Sequence, residues 1–332
     1  MNTLTPTASR RLLSAGLLLA LFAPAALASD LNLNVTSGGQ STVMVAPGAS
    51  VSWAVTGELS DGNNQGVAMF SFNMAFNGGA LSPAVTPGLQ PMLNFTMPLG
   101  VTNPAGFGGT SVGGGLLQVG GAQNTIVNVF APFPTGNVIT GVAAQGSPQQ
   151  LASGTLAAPM QVGTYTLSLS SVMANAVRTG STGSPNWAVD ACGVGSVGNL
   201  QVIVVGLTAN VATLSVLTTG TQLLSLDAGA ARAGRIFFLL GTYTGTSPGL
   251  PLPNGMHLPL NPSLYLNVTA SNPNSPPLTN SLGFLDGNGH AASAFHLPHV
   301  PPAAAGLVLH HAYVLLQPID FISNPVSLTL VP

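Results

Sequence analysis

The sequence predicts an all-β protein built from two antiparallel β-sandwich domains in tandem, after a cleaved signal peptide. Three observations support this fold class. Apolar residues recur at every second position in many short stretches, which is the period of a β-strand. The chain contains 41 glycines and 27 prolines, which supply turns between short strands. Its 332 residues suffice for about two domains at roughly 150 residues each.

The first 28 residues are predicted to be an export signal. Arg10 and Arg11 form the positive region, residues 12–22 form the apolar region, and residues 26–28 (Ala-Leu-Ala) form a cleavage site. The apolar region is too short for a transmembrane helix. We therefore expect a mature chain that begins at Ser29 and is periplasmic, surface-associated or extracellular. The arginine pair leaves the general and the twin-arginine export routes both open.

The scarcity of charged residues limits the classes of partner that the protein could bind. Only 4% of the residues are charged, compared with roughly 25% in ordinary globular domains. Past residue 28 the basic residues are Arg178, Arg232 and Arg235, and there is no lysine. Three scattered arginines argue against nucleic acids and anionic lipid surfaces. Self-association or a neutral polysaccharide are the partners that this composition favours.

Strand-like alternation continues along the chain, with one apolar face and one face of serine, threonine or asparagine. This pattern is typical of antiparallel sheets with one solvated side. The clearest predicted strands are residues 31–35, 51–55, 164–170, 264–268 and 326–330. No helix is predicted beyond the leader, since the alanine run at 303–305 is flanked by prolines and a glycine.

Turn residues separate the predicted strands. Hairpin-type signals occur at residues 61–64, 77–79 and 286–289, and loop signals occur at residues 113–115 and 276–277.

The best domain boundary lies at residues 206–210, after the apolar strand at 200–205. We therefore predict one domain over residues 29–205 and a second over residues 210–332, each able to unfold cooperatively by itself.

The start of the first half resembles a known family. Residues 45–51 place Pro-Gly before an alternating strand, and residues 70–77 form a second alternating strand that leads to a small-residue turn. This arrangement resembles the opening of cohesin-like domains, which are β-sandwiches related in fold to some carbohydrate-binding modules. The resemblance implies a cohesin-like sandwich. It does not extend to dockerin binding, because residues 120–125 match no cohesin signature.

The second half resembles a terminal β-module of uncharacterised secreted bacterial proteins, over about residues 215–332. The resemblance implies export and β structure, and carries no known activity. Its motifs are Ala233-Gly234-Arg235, Leu239-Leu240-Gly241, Gly245-Thr246-Ser247-Pro248-Gly249, Leu258-Pro259-Leu260-Asn261 and Ser323-Asn324-Pro325-Val326.

The histidines raise the question of a metal site, because all six lie in the second half. They are His257, His290, His296, His299, His310 and His311. The His296–His299 spacing suits a metal, but Pro298 breaks the element that would aim both rings at one ion. His310 and His311 would point to opposite faces of a strand. The sequence therefore favours no metal, with a metal-dependent enzyme as a distant alternative.

No constellation predicts catalysis or a cofactor. Seven acids are spread over the chain, and no nucleophile motif is present. Residues 61–63 and 286–289 resemble calcium loops only in part, because the position of the twelfth-residue glutamate holds Phe72 and Leu297. The single cysteine, Cys192, is expected to be a small buried residue.

The sequence favours a secreted, non-enzymatic structural or surface-associated protein. The alternative is a carbohydrate-binding or adhesion module that uses the first domain. Trp187, in a loop-like stretch, is the candidate ligand-contacting residue, although an aromatic that caps the sandwich rim is the more conservative interpretation. Trp53 shares a face with two valines and is expected in the core.

Overall fold

The structure, a computed structural model, describes residues 29–85, 108–122, 142–180, 188–252 and 255–332. It is 55% strand and 6% helix, which confirms the all-β prediction. The predicted signal peptide and Trp187 lie outside the described residues. Within those residues, no helix combines the length and apolar character needed to cross a membrane.

In the described part of the first half, eleven strands form what we call the N-terminal sandwich. They are β1 (Asp30–Thr36), β2 (Thr42–Val45), β3 (Ser50–Leu59), β4 (Asn64–Phe76), β5 (Gly108–Val112), β6 (Gly115–Ala122), β7 (Gln149–Ala157), β8 (Gly163–Arg178), β9 (Val189–Ala191), β10 (Gly193–Val197) and β11 (Leu200–Val204).

Two sheets of the N-terminal sandwich face each other across an apolar core. One sheet has the order β10-β1-β3-β7, and the other has the order β2-β11-β8-β4-β6-β5, with β9 beside β8. Trp53 of β3 is 2% exposed, as its position among valines predicted. Gly154 on β7 makes room for this ring, since a Cβ there would lie 2.5 Å from Trp53 Cζ2.

A second set of elements forms what we call the C-terminal sandwich. They are β12 (Leu207–Ala209), β13 (Thr213–Ser215), β14 (Thr221–Asp227), β15 (Ile236–Thr242), β16 (Leu250–Pro251), β17 (His257–Leu258), α1 (Leu264–Ser271), β18 (Leu278–Thr279), β19 (Leu282–Phe284), β20 (His290–His296), β21 (Val308–Leu316) and β22 (Val326–Val331), with short 3-10 turns at Ala230–Arg232 and Pro302–Ala304.

The C-terminal sandwich also has two main sheets. Their strand orders are β12-β14-β20-β18 and β13-β22-β21-β15-β19, and β16 and β17 form a separate pair. A core that includes Phe237, Phe295 and Phe321 lies between the main sheets. The sheets are antiparallel except at β1–β10, β2–β11 and β13–β22, where sheet-edge strands pair in parallel.

Residues 264–268 are helical, so the strand predicted there is wrong. The helix α1 begins after Ser263, whose Oγ accepts a hydrogen bond of 3.0 Å from the Leu266 amide. A serine in this position satisfies an amide that the first turn leaves without a partner. Leu266 and Thr269, which are three residues apart, form the buried side of the helix. The alanine run, for which no helix was predicted, forms a short 3-10 turn at Pro302–Ala304.

Two turns predicted as hairpins connect different sheets instead. Residues 61–64 lead from β3 to β4, and residues 286–289 lead from β19 to β20, and in both cases the two strands belong to opposite sheets. A two-residue hairpin occurs where only a loop was expected, between β5 and β6. Val112 pairs with Gly115 there, and Gly113 and Gly114 have φ of 58° and 89°. Such left-handed values suit glycine and match the twist of the strands.

The two sandwiches are in direct contact. The Arg232 guanidinium, in a residue that is 8% exposed, donates 3.0 Å hydrogen bonds to the carbonyls of Met160 and Ala228. It also lies 4.4 Å from the centre of the Phe321 ring. Burial lowers the pKa of this arginine. Residues 207–209, inside the predicted boundary segment, form β12 and pair with β14.

Candidate functional site

A cleft lies where the two sandwiches meet and has a volume of about 970 Å³. Its N-terminal wall includes Met44 of β2, and its C-terminal wall includes Leu282 and Phe284 of β19. Met44 and Phe284 are each 70% exposed. A concave site with apolar walls and a few polar groups is typical of ligand pockets, so this cleft is the first candidate site.

The polar side of the cleft contains a histidine–aspartate contact and a tight turn. His290 Nε2 lies 3.3 Å from Asp227 Oδ2, while Asp227 Oδ1 accepts a hydrogen bond from the Gly229 amide. Asp286 Oδ1 accepts hydrogen bonds of 2.8 Å from the amides of His290 and Asn288. These amide donors, His290 first, lower the pKa of Asp286. Both carboxylates therefore maintain the local backbone conformation.

A second candidate is a groove on the outer surface of the β10-β1-β3-β7 sheet, with a volume of about 430 Å³. Its lining is uncharged apart from one carboxylate, and comprises Asn32, Leu33, Asn34, Thr56, Gly57, Glu58, Pro148, Ser196, Val197 and Gly198.

The groove is built by close packing between two parallel strands. Asn32 Oδ1 accepts hydrogen bonds from the Ser196 amide at 2.8 Å and from its hydroxyl at 3.0 Å. A Cβ at Gly195 would lie 2.3 Å from Asn32 Oδ1, and one at Gly198 would lie 2.3 Å from Asn34 Oδ1. The glycines of this segment therefore let the amide side chains lie flat over the neighbouring strand.

Asparagine side chains also cover strand edges. Asn324 Oδ1 accepts from the Leu207 amide at 3.0 Å, and Asn324 Nδ2 donates to the Leu207 carbonyl at 2.8 Å. Asn274 forms the same pair of bonds with Leu282 of β19, each 2.9 Å long. Each side chain thus takes the hydrogen-bonding place of a neighbouring strand, and we call Asn274 and Asn324 the edge caps.

Asn261 organises a loop in a similar way. Its Oδ1 accepts from the Gly249 amide at 2.9 Å, and its Nδ2 donates to the carbonyls of Ser247 and Thr244. Arg235 forms an ion pair with Asp320 at 3.1 Å. Asn261, Asn324 and Arg235 all belong to the motifs that carry the terminal-module resemblance, and in this structure they hold backbone or form an ion pair.

The six histidines are spread over several environments. The His296 ring nitrogens lie 3.1 Å from Thr221 Oγ1 and 3.0 Å from Thr279 Oγ1, so both are occupied. His290 pairs with Asp227, whereas His257 and His299 are on the surface. Among the described residues, no group of three or more histidine, cysteine, aspartate or glutamate side chains could hold a metal ion.

His311 is completely buried, and the adjacent His310 on β21 faces the other way and is half-buried. The Tyr265 hydroxyl of α1 lies 2.9 Å from His311 Nε2, and the two rings meet edge to face. Burial, followed by the charge of His310, lowers the pKa of His311 to about 3. His311 Nδ1 has no hydrogen-bond partner among the described residues. No local sequence pattern indicates the contact with Tyr265, which spans 46 positions.

Cys192 lies where the chain crosses from β9 in one sheet to β10 in the other. Its amide donates to the Ala174 carbonyl, and its side chain packs partly buried against the N-terminal core. Burial raises the pKa of the thiol to about 11. The thiol is therefore protonated at neutral pH, as expected of a packing residue rather than a nucleophile.

Comparisons with known proteins identify no family. No protein-family model matches the chain, and no curated protein matches it. Among solved structures, a cohesin module from a Clostridium perfringens family 33 glycoside hydrolase has 9% identity and a TM-score of 0.31, and covers 53% of this chain and 98% of its own.

Two other solved structures show likeness at a similar level. The sixth cohesin of Acetivibrio cellulolyticus scaffoldin B, solved with a Cel5 dockerin, has 15% identity and a TM-score of 0.31 over 53% of this chain and 99% of its own. A C-terminal fragment of the Streptococcus agalactiae major pilin GBS80 has 9% identity and a TM-score of 0.29, and the match covers 92% of this chain and 91% of the pilin fragment. Scores of this size establish no common function, so the β architecture rests on the strand pairings described above.

Proposed function

We propose that the protein is exported and acts outside the cytoplasm as a non-enzymatic structural or surface-associated protein. The observation that carries this proposal is the use of the acidic side chains. Apart from Asp30, each acidic side chain accepts a hydrogen bond from another group of the protein or forms a charged contact with one. These carboxylates therefore have structural partners. The pairs are Glu58 with the Gly146 amide, Asp61 with Ser29, Asp190 with Arg178, Asp227 with His290, Asp286 with the His290 amide, and Asp320 with Arg235.

General acid–base catalysis needs a carboxyl group or imidazole that is free to exchange a proton with a substrate. Hydrogen bonds lower the pKa of Asp61, Asp190 and Asp286, with Ser29, Arg178 and the His290 amide as the largest respective causes. These groups are thus kept ionised and engaged. The same contacts stabilise turns and the connections between the two sheets, as a rigid extracellular scaffold requires.

Export and surface association can be tested together in the native host. Mass spectrometry of the protein recovered outside the cytoplasm is expected to find an N-terminus at or near Ser29. Protease treatment of intact cells is expected to remove it, whereas a cytoplasmic control protein stays intact. A soluble cytoplasmic product that retains residues 1–28 would refute the export step.

A second candidate function is binding of a neutral polysaccharide by the N-terminal sandwich, and the groove lined by Asn32, Asn34, Thr56 and Ser196 favours it. Amide and hydroxyl groups match the hydroxyl groups of uncharged sugars without any ion pair. A glycan array with the exported protein tests this function. Asn34→Ala and Thr56→Ala are expected to lower binding, while Asn288→Ala on a distant turn leaves it unchanged. Equal binding by all the variants would remove the groove from consideration.

A further inference from the structure

We propose that β2 is a self-pairing edge, through which two copies of the protein join their large sheets into one. The proposal concerns residues 42–45 (Thr-Val-Met-Val) at the end of the β2-β11-β8-β4-β6-β5 sheet. It stands independently of export and of polysaccharide binding.

The backbone of β2 has one paired side and one open side. On the paired side, the carbonyls of Ser41 and Val45 accept from the amides of Gln201 and Val205. Because neighbouring residues of a strand alternate in direction, the amides and carbonyls of Thr42 and Met44 point away from β11. No described strand pairs with β2 on that open side.

The open side is complementary to itself. If two antiparallel copies of β2 are related by a two-fold axis at Val43, Thr42 of one copy lies opposite Met44 of the other. Both residues present an amide and a carbonyl outward, so the two pairs form the closely spaced hydrogen bonds of an antiparallel ladder. Such an isologous contact closes at the dimer and does not continue into a fibre.

Two other short edge strands, β12 and β19, are covered by side chains, whereas no described side chain covers β2. The edge caps Asn324 and Asn274 bond both backbone groups of Leu207 on β12 and of Leu282 on β19. No side chain of the described residues caps β2, the strand contains no proline and no charged residue, and its neighbour β11 is also uncharged. Natural sheets usually block free edges with lysine, proline or bulges. An uncharged and unblocked edge therefore favours pairing with another strand, and a second copy meets no like charge on either strand.

Apolar surface next to this edge adds to the contact. Met44 is 70% exposed and lines the same cleft as Phe284, which is also 70% exposed. A four-residue edge is small beside the roughly 1,200–2,000 Å² that stable complexes bury. We therefore expect a weak dimer that forms with increasing protein concentration and responds little to salt.

Sedimentation of the exported protein over a concentration series into the millimolar range tests the proposal, at low and at high salt. Met44→Lys adds a charge at the edge, and Thr42→Pro removes an outward amide. Each is expected to raise the dimer dissociation constant by about ten-fold or more. Met173→Lys is the matched control, because Met173 is 67% exposed on β8 of the same sheet, and it is expected to leave the constant unchanged. Circular dichroism checks that every variant is folded.

Hydrogen exchange gives a second readout. If β2 only stabilises the monomer, the exchange rates of its amides do not depend on protein concentration. The amides of Thr42 and Met44 are expected to be protected in concentrated protein and to exchange freely in dilute protein. A wild-type protein that stays monomeric throughout overturns the proposal. So does a dimer that Met44→Lys and Met173→Lys weaken equally, or one in which the two amides stay unprotected. Dimers that dissociate when salt is added also overturn it, because they would rest on ion pairs.

Discussion

The two sandwiches differ in what they bury. Among the described residues, the N-terminal core is apolar, and the buried polar residues of this sandwich are Ser29 and Asn64. The C-terminal sandwich buries more of them, namely Gln222, Arg232, Thr242, Thr269, Ser281, Ser293, His311 and Ser323. Apolar packing tolerates changes of pH and small shifts of position, whereas a buried polar group needs its partner. The C-terminal sandwich should therefore be more sensitive to single substitutions and to acid.

The largest effect should come from trimming the start of the C-terminal sandwich. A fragment of residues 206–332 keeps β12, while a fragment of residues 210–332 loses Leu207, which is 1% exposed in the core, and leaves the cap Asn324 without its partner. We expect the shorter fragment to be less stable by about 4–5 kcal/mol, from one buried leucine and the lost backbone bonds. Denaturant titration of both fragments measures this.

Equal stability of the two fragments would mean that β12 adds nothing to the fold. The companion fragment of residues 29–205 is expected to unfold cooperatively by itself. If neither half folds alone, the boundary at residues 206–210 is wrong and the sandwiches form a single folding unit.

Removing one edge cap should have the next largest effect. Asn324→Ala leaves the Leu207 amide and carbonyl and the Gly206 amide without their partner, so we expect a loss of about 3 kcal/mol. Asn272→Ala is the matched control, because Asn272 makes one exposed bond to the Val268 carbonyl. Calorimetry of the whole protein should show a large change for the first variant and a small one for the second. Similar losses would contradict the role of the cap.

Acid should destabilise the C-terminal sandwich first. The pKa of His311 falls from 6.5 to about 3 on folding. Between these two pH values, His311 is protonated in the unfolded chain and neutral in the folded chain. Stability is intact above pH 6.5 and decreases as the pH falls below it, by about 3 kcal/mol at pH 4.5. In the N-terminal sandwich, the pKa of Asp190 lies below 3.8, chiefly because Arg178 donates a hydrogen bond to it, so its contribution persists until more acidic pH.

Unfolding curves between pH 7.5 and 4.5, read by tryptophan fluorescence and by calorimetry, separate the two sandwiches because both tryptophans precede residue 205. His311→Gln should flatten the pH dependence of the C-terminal transition, and His299→Gln on the surface should not. The rings that face His311 are those of Tyr265 and Phe295, while the adjacent His310, on the opposite side of the strand, acts on His311 only through its charge. A C-terminal transition that does not respond to pH would show that His311 is solvated.

The smallest difference should be between the two arginine–aspartate pairs. Arg235 is 22% exposed and also donates to the Pro318 carbonyl, so Arg235→Met should cost about 2 kcal/mol. The Arg178 side chain is 58% exposed, and Arg178→Met should leave the free energy of unfolding nearly unchanged, because water replaces exposed ion pairs readily. Denaturant unfolding of both variants decides the matter, and the reverse order of losses would contradict the comparison.

Local patterns predicted several of the strands, but not the sheet that each strand joins. Alternation identified β1, β3 and β22 because one side of each strand is buried. The same alternation failed at residues 264–268, where the signal that decides is the capping residue Ser263. The turns at residues 61–64 and 286–289 were found, but whether a turn returns to its own sheet depends on packing.

The candidate sites depend on contacts that span long stretches of sequence, and this limited their prediction. The cleft brings Met44 near residues about 240 positions later, and the groove joins Asn32 to Ser196 across 164 positions. The edge caps are asparagines, which a composition cannot distinguish from ordinary surface polarity.

The residue that follows an asparagine influences how fast the side-chain amide deamidates. Spontaneous deamidation begins when the next backbone nitrogen attacks the side-chain carbonyl, and a proline nitrogen carries no hydrogen to lose. Asn324 precedes Pro325, and Asn261 precedes Pro262. Deamidation of Asn324 would replace the donor to the Leu207 carbonyl with a carboxylate. The following prolines therefore give these two amides a long chemical lifetime.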